Sequence, residues 1–225
     1  MTRIVKLLLL FCVVFAAPVR AALTIEITQG MEGAIPIAVV PLGWRGSAAA
    51  APENIAAIIA ADLNRSGRFE SLPDRDLVSH PSTAEQVKFQ NWRMLNVDNL
   101  VIGQLEEIAP GQYSVTFELF DVFRGTRLTG ATFPAAARDL RRVAHHISDI
   151  IYETLTGERG AFNTQIAYVT SSGSTKKKTY TLLVADSDGY NSLTMLSSNQ
   201  ALLSPSWSPV GRRIAVGAWE SKAAV

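Results

Sequence analysis

Apolar and polar positions lay out most of this chain. Leu23-Thr24-Ile25-Glu26-Ile27-Thr28 alternates, the period of a strand with one covered face. Ile35 to Val40 is almost wholly apolar, as in a strand covered on both faces. Gly43 to Ala51 reads as a small-residue loop. A helix is predicted next. Ile55, Ile58, Ile59 and Leu63 form its stripe, with Asp62, Asn64 and Arg65 beside it. Pro52 suits its first position and Gly67 its left-handed stop. A short strand is expected at Arg68 to Leu72. Phe89, Trp92 and the Met94/Leu95 pair predict a short helix. Three strands follow, Asn99 to Ile108, Gln112 to Val122 and Leu128 to Phe133. Pro110-Gly111 and Arg124-Gly125-Thr126 separate them as turns of an antiparallel meander. Leu140, Val143, Ala144, Ile147, Ile150, Ile151 and Leu155 predict a helix from near Ala136 to Gly157.

Beyond Gly160 the helical period stops. Gln165 to Thr170, Thr179 to Ala185, Ser192 to Leu196 and Arg213 to Val216 read as short strands divided by turns. Ser204-Pro205-Ser206-Trp207-Ser208-Pro209, then Gly211, fits a strand junction of a propeller blade. The expected fold class is an α/β amino-terminal domain, a mixed sheet with packed helices, followed by an incomplete all-β propeller segment. The expected divisions are a signal at 1–21, the α/β domain at 22–157, a linker at 158–162 and a partial propeller at 163–225. That last segment amounts to about one and a half blades, so the chain reads as truncated.

The amino terminus changes the compartment. Arg3 and Lys6 precede an uncharged apolar run from Leu7 to Ala17, Pro18 breaks it, and Val19-Arg20-Ala21 places small or modest side chains ahead of the Ala21–Ala22 bond. This is the layout of a cleaved secretory signal, and the run is too short for a bilayer span of ~20 residues. Phe11 before Cys12 argues against lipidation, and Cys12 is the only cysteine, so the mature chain forms no disulfide. Cleavage removes three of the 21 basic residues (Arg3, Lys6 and Arg20) and none of the 20 acidic ones, for a net charge of −2. That balance supplies no broad field for nucleic acid or anionic lipid. An exported protein is expected, with no membrane insertion after cleavage.

Candidate chemistry is sparse. Asp186-Ser187-Asp188-Gly189 begins like a calcium loop, but its glycine comes early and no acid follows; a hairpin turn is expected. His145 and His146 are neighbours, and neighbours on a helix diverge by about 100°. They are read as a solvated helix flank, with His80 in a distant loop. Ser171 to Thr175 with Lys176, Lys177 and Lys178 reads as a flexible hairpin tip without aromatic interleaving. Glu106 and Glu107 point to opposite strand faces. Trp92 and Trp207 are expected in the core, and Trp44 in a loop is a buried anchor or an exposed contact. Nucleophile elbow, phosphate loop and dinucleotide fingerprint are all missing, so no catalytic residue, cofactor or metal is assigned and an enzyme is not expected. Residues 22–29 form a β-patterned chain end that can pair with a sheet edge, its own or a partner's.

Several segments together resemble the TolB family. They are Ile35-Pro36-Ile37-Ala38-Val39-Val40-Pro41, the helix Leu140 to Tyr152, Leu155 to Phe162, Ile166-Ala167-Tyr168-Val169, and Leu203 to Pro209. The resemblance implies a periplasmic scaffold of the Tol-Pal system, which keeps the outer membrane intact and draws it inward at cell division. It also implies an α/β domain ahead of a six-bladed propeller. It places the contact with TolA on the mature amino-terminal segment, Ala22, Leu23, Thr24, Ile25, Glu26, Ile27, Thr28, Gln29, Gly30, Met31, Glu32 and Gly33. The family's second partner, Pal, engages the propeller, mainly in blades beyond those read here. Val210 stands before Gly211 where the family's repeat carries Asp. Two alternatives stay open: an exported hydrolase gated by a propeller, and a non-functional product of a disrupted gene.

Overall fold

The computed structural model describes residues 33–174 and 177–219. Its first part contains β1 (Ile35–Val39), β2 (Gly43–Arg45), α1 (Ile55–Arg65), β3 (Phe69–Ser71), α2 (Phe89–Arg93), β4 (Asn99–Ala109), β5 (Gln112–Asp121), β6 (Thr126–Ala136) and α3 (Leu140–Thr156). One mixed sheet runs in the order β3-β1-β4-β5-β6. β1 lies parallel to β3 and to the start of β4, and β2 lies parallel to the later part of β4. β4, β5 and β6 form the expected antiparallel meander.

The period of 2 decides which face each strand residue covers. Ile37, Val39, Val101, Leu105, Val115, Phe117 and Leu119 share one core with the stripes of α1 and α3. Their neighbours Ala38, Val40, Leu100, Ile102, Phe120 and Val122 share a second core with Trp92 and Val97. The sheet is therefore covered on both sides. Gly103 in β4 sits where a Cβ would collide with the Thr116 carbonyl oxygen of β5, so only glycine lets the strands approach this closely.

Several element boundaries differ from expectation. Gly43–Arg45 is a strand rather than loop, because β4 is long enough to pair with β1 and β2 in succession. Helix α1 starts at Ile55, since Asn54 Oδ1 accepts the Ala57 amide at 3.1 Å and caps the helix there rather than at Pro52. Helix α3 starts at Leu140 rather than near Ala136, because Ala136 still pairs with Gln112 in the sheet. It ends as expected at Gly157, whose φ of 74° is the left-handed stop.

The stretch after α3 is pinned to that helix. Asp149 accepts the amides of Phe162 at 2.7 Å and Asn163 at 3.2 Å, and Phe162 packs edge-on to Tyr152. Then come β7 (Gln165–Ser174), β8 (Lys177–Asp186) and β9 (Leu193–Ser198) as one antiparallel sheet, and β10 (Ala201–Trp207) with β11 (Ile214–Trp219) as another. The strand order and the unclosed sheets match an incomplete propeller. Ser171 to Ser174 are paired with Lys177 to Tyr180, so both arms of the expected hairpin are strand, and Thr175 and Lys176 lie outside the described residues. Gly211 turns at φ 66° although Val210 precedes it.

Candidate functional site

The inward face of α1 carries one charged residue. Asp62 follows Ile58 by four positions, so it lies on the apolar stripe and is 1% exposed. A buried carboxylate is costly unless its oxygens are engaged. Arg65 takes Oδ1 at 2.7 Å and His145 Nδ1 takes Oδ2 at 2.6 Å. An ionised carboxylate only accepts, so the Nδ1–H of His145 donates.

That contact corrects the reading of His145 as a solvated flank. The packing of α3 on α1 turns it inward, and it is 2% exposed. His146, about 100° around the helix, instead meets the Phe133 ring edge-on at 5.2 Å. His80 stays apart, beside Asp74 at 3.3 Å.

The other ring nitrogen of His145 faces the β8–β9 turn. Nε2 lies 3.7 Å from Asp188 Oδ2, too long for a hydrogen bond, and has no partner among the described residues. Arg141, one helical turn earlier, pairs with Asp188 Oδ2, lies 3.8 Å from Glu53 and places its guanidinium 3.8 Å from the centre of the Tyr190 ring. Burial pushes the Asp188 carboxyl up. The Tyr190 amide and the charges of Arg141 and Arg65 outweigh it and hold the group below its ordinary range. Asp186 Oδ2 accepts from the Asn191 side chain at 2.8 Å. The turn itself is as expected, with Gly189 at φ 85°. Ser187 fastens it from below, donating its hydroxyl to the Phe162 carbonyl at 2.6 Å.

A cleft of about 600 Å³ opens beside this cluster, with Arg142, His145, Asn163, Asp186 and Trp207 among its walls. Ligand atoms of His145, Asp186 and Asp188 all lie within 4.8 Å of one another. The sequence offers two signals at this site, the Asp186-Ser187-Asp188-Gly189 run and the His145-His146 pair, both expected to be structural. Asp62, expected beside the α1 stripe, lies on it, 126 residues before Asp188.

Of the expected partner segment, residues 22–32 and the Ala21–Ala22 bond lie outside the described residues, and Gly33 is exposed at φ 101°. Trp44 is half-buried against Tyr113, and its Nε1–H donates to the Ala48 carbonyl at 2.8 Å. Glu107 reaches Ser47 instead of acting with Glu106. Lys177 and Lys178 are exposed.

Residues 23–128 match the model of the TolB amino-terminal domain, and residues 152–225 match that of the TolB beta propeller domain. The chain belongs to the TolB family. A Tol-Pal system protein TolB of Thioalkalivibrio sulfidiphilus is 48% identical over 217 residues, covering 96% of this chain and 50% of that protein. One from Xanthomonas campestris pv. campestris is 46% identical over 201 residues, covering 89% and 46%. The crystal structure of TolB from Acinetobacter baumannii superposes with a TM-score of 0.70 at 34% identity, covering 81% of this chain and 43% of that one. The chain spans about half the length of the curated TolB relatives it matches. Asp62 falls in the amino-terminal match and Asp186 and Asp188 in the propeller match, while Arg141 and His145 lie between the two. Among the described residues, no helix is long and apolar enough to cross a membrane.

Proposed function

We propose that this chain is a periplasmic scaffold of the Tol-Pal envelope system that binds TolA through its mature amino terminus and performs no bond-making chemistry. The observation that carries the reading is the likeness to Tol-Pal system proteins at 46–48% identity across both the α/β part and the first propeller strands. In this reading residues 1–21 direct export and are cleaved between Ala21 and Ala22. Residues 22–33 then dock onto TolA. Leu23, Ile25 and Ile27 supply apolar contacts on one face, and the backbone supplies hydrogen bonds along the strand. The bound system supports outer-membrane integrity and invagination at division. Pal, the family's second partner, belongs to the whole propeller, and only the TolA contact is assigned to this chain.

The covered sheet supports a scaffold. Both faces of β4 are filled by aliphatic and aromatic side chains, which gives a rigid base from which a docking segment can be presented. The test is capture of the periplasmic part of TolA by residues 22–225, compared with a form lacking 22–33. Binding lost with the segment supports the proposal. Equal capture by both forms, or none by either, rejects it.

A further inference from the structure

We propose that His145, Asp186 and Asp188 bind one divalent first-row transition-metal cation, of the zinc type, at the seam between α3 and the β8–β9 turn. Asp62 is the first reason. A histidine that ligates a metal through one ring nitrogen usually gives its other N–H to a carboxylate, which fixes the tautomer and aims the free lone pair. His145 is held in this way. Nδ1 is bound to buried Asp62 at 2.6 Å, and Nε2 is buried, unpartnered among the described residues and turned toward two carboxylates.

The spacing is the second reason. Metal–ligand bonds of about 2.0–2.2 Å at tetrahedral angles separate neighbouring ligand atoms by about 3.4 Å. Nε2 and Asp188 Oδ2 are 3.7 Å apart. That gap is too wide for a hydrogen bond and near the span of one ion. Asp186 completes the set by a side-chain rotation, because its Oδ2 contact in the cluster is Asn191. One imidazole and two carboxylates leave a fourth position for water from the cleft. Calcium is the wrong class, since it takes 6–8 oxygen ligands, whereas imidazole suits zinc and its neighbours.

Arg141 sets the terms of entry. Without metal its guanidinium supplies the positive charge beside Asp188. A dication replaces that charge, and Arg141 keeps Glu53 and the Tyr190 face. The ion and the arginine therefore compete for Asp188. Removing Arg141 strengthens metal binding, an outcome that general damage to the fold does not produce.

The experiment is calorimetric titration of residues 22–225, free of any polyhistidine tag, with zinc chloride. Calcium chloride is the control, and the visible spectrum of the cobalt(II) form reports geometry. We expect one zinc per chain, a four-coordinate cobalt spectrum and little heat from calcium. Asp186→Asn, at the cleft wall, weakens zinc more than about 100-fold while circular dichroism stays native, and Asp62→Asn weakens it about 10–100-fold through the lost orienting bond. Arg141→Gln tightens it, and His80→Ala and His146→Ala leave it unchanged. The proposal is overturned if wild-type protein takes up no stoichiometric zinc. It is equally overturned if binding survives Asp186→Asn, follows His80 or His146, or weakens in Arg141→Gln.

Discussion

The α/β region and the propeller strands are built from similar residues and reach different degrees of closure. In the first, sheet residues such as Leu100, Val101 and Phe117 are 0% exposed because helices or loops cover both faces. In the second, Leu193, Met195 and Leu196 of β9 remain 65%, 58% and 44% exposed. A mixed sheet with helices on it completes its core locally. A blade stacks on other blades, so its faces stay open until neighbours arrive. The lesson is that alternation marks which strand face is apolar but not what covers it.

The sharpest way to break this comparison is to damage each region equally. Phe117→Ala should cost about 3–5 kcal/mol, whereas Leu193→Ser should change stability by no more than about 0.5 kcal/mol. Urea unfolding monitored by tryptophan fluorescence measures both. Equal losses would mean that β9 is as covered as the central sheet.

A smaller effect tests the seam between the regions. Asp62→Ala leaves His145 buried without its partner and frees Arg65, so a loss of about 3 kcal/mol is expected. Because His145 and Arg141 face the β8–β9 turn, amide exchange at Asp186 to Tyr190 should quicken in the same variant. Unchanged exchange there would show that Arg141 and Ser187 hold the turn without help from the Asp62–His145 pair.

The smallest effect concerns acid. The Ser47 hydroxyl and amide hold the Glu107 carboxyl below its ordinary 4.5. A carboxyl lowered in the folded state stabilises above its unfolded pKa, and that contribution disappears as pH falls through the folded value. Glu107→Gln should therefore flatten the stability–pH curve slightly below about pH 4.5. A curve that keeps its slope there assigns the acid sensitivity to other carboxylates.

Much of the fold was legible before any coordinates. The apolar run at Ile35, the meander between Asn99 and Phe133 and the long stripe ending at Gly157 each follow from a local period and a local stop. Boundaries went astray where one local signal outranked another, as when the Asn54 side chain rather than Pro52 set the start of α1. Trp44 was left between two readings because its environment is made by β4 and β5, which no nearby residue specifies. The TolB resemblance was also legible, since it rests on contiguous stretches.

The charged cluster was not legible, and His145 shows why. Its neighbours along the chain suggested a wet helix flank. Its neighbours in space are Asp62, 83 residues earlier, and Asp188, beyond the end of the helix. Backbone period and turn chemistry are short-range and are written in order along the chain, so the sequence alone determined most of the elements, their apolar faces and the family. Electrostatic contact depends on distance in space. Only the packing of α1 on α3, with the β8–β9 turn fastened below, brought an acid, a histidine and two further carboxylates together.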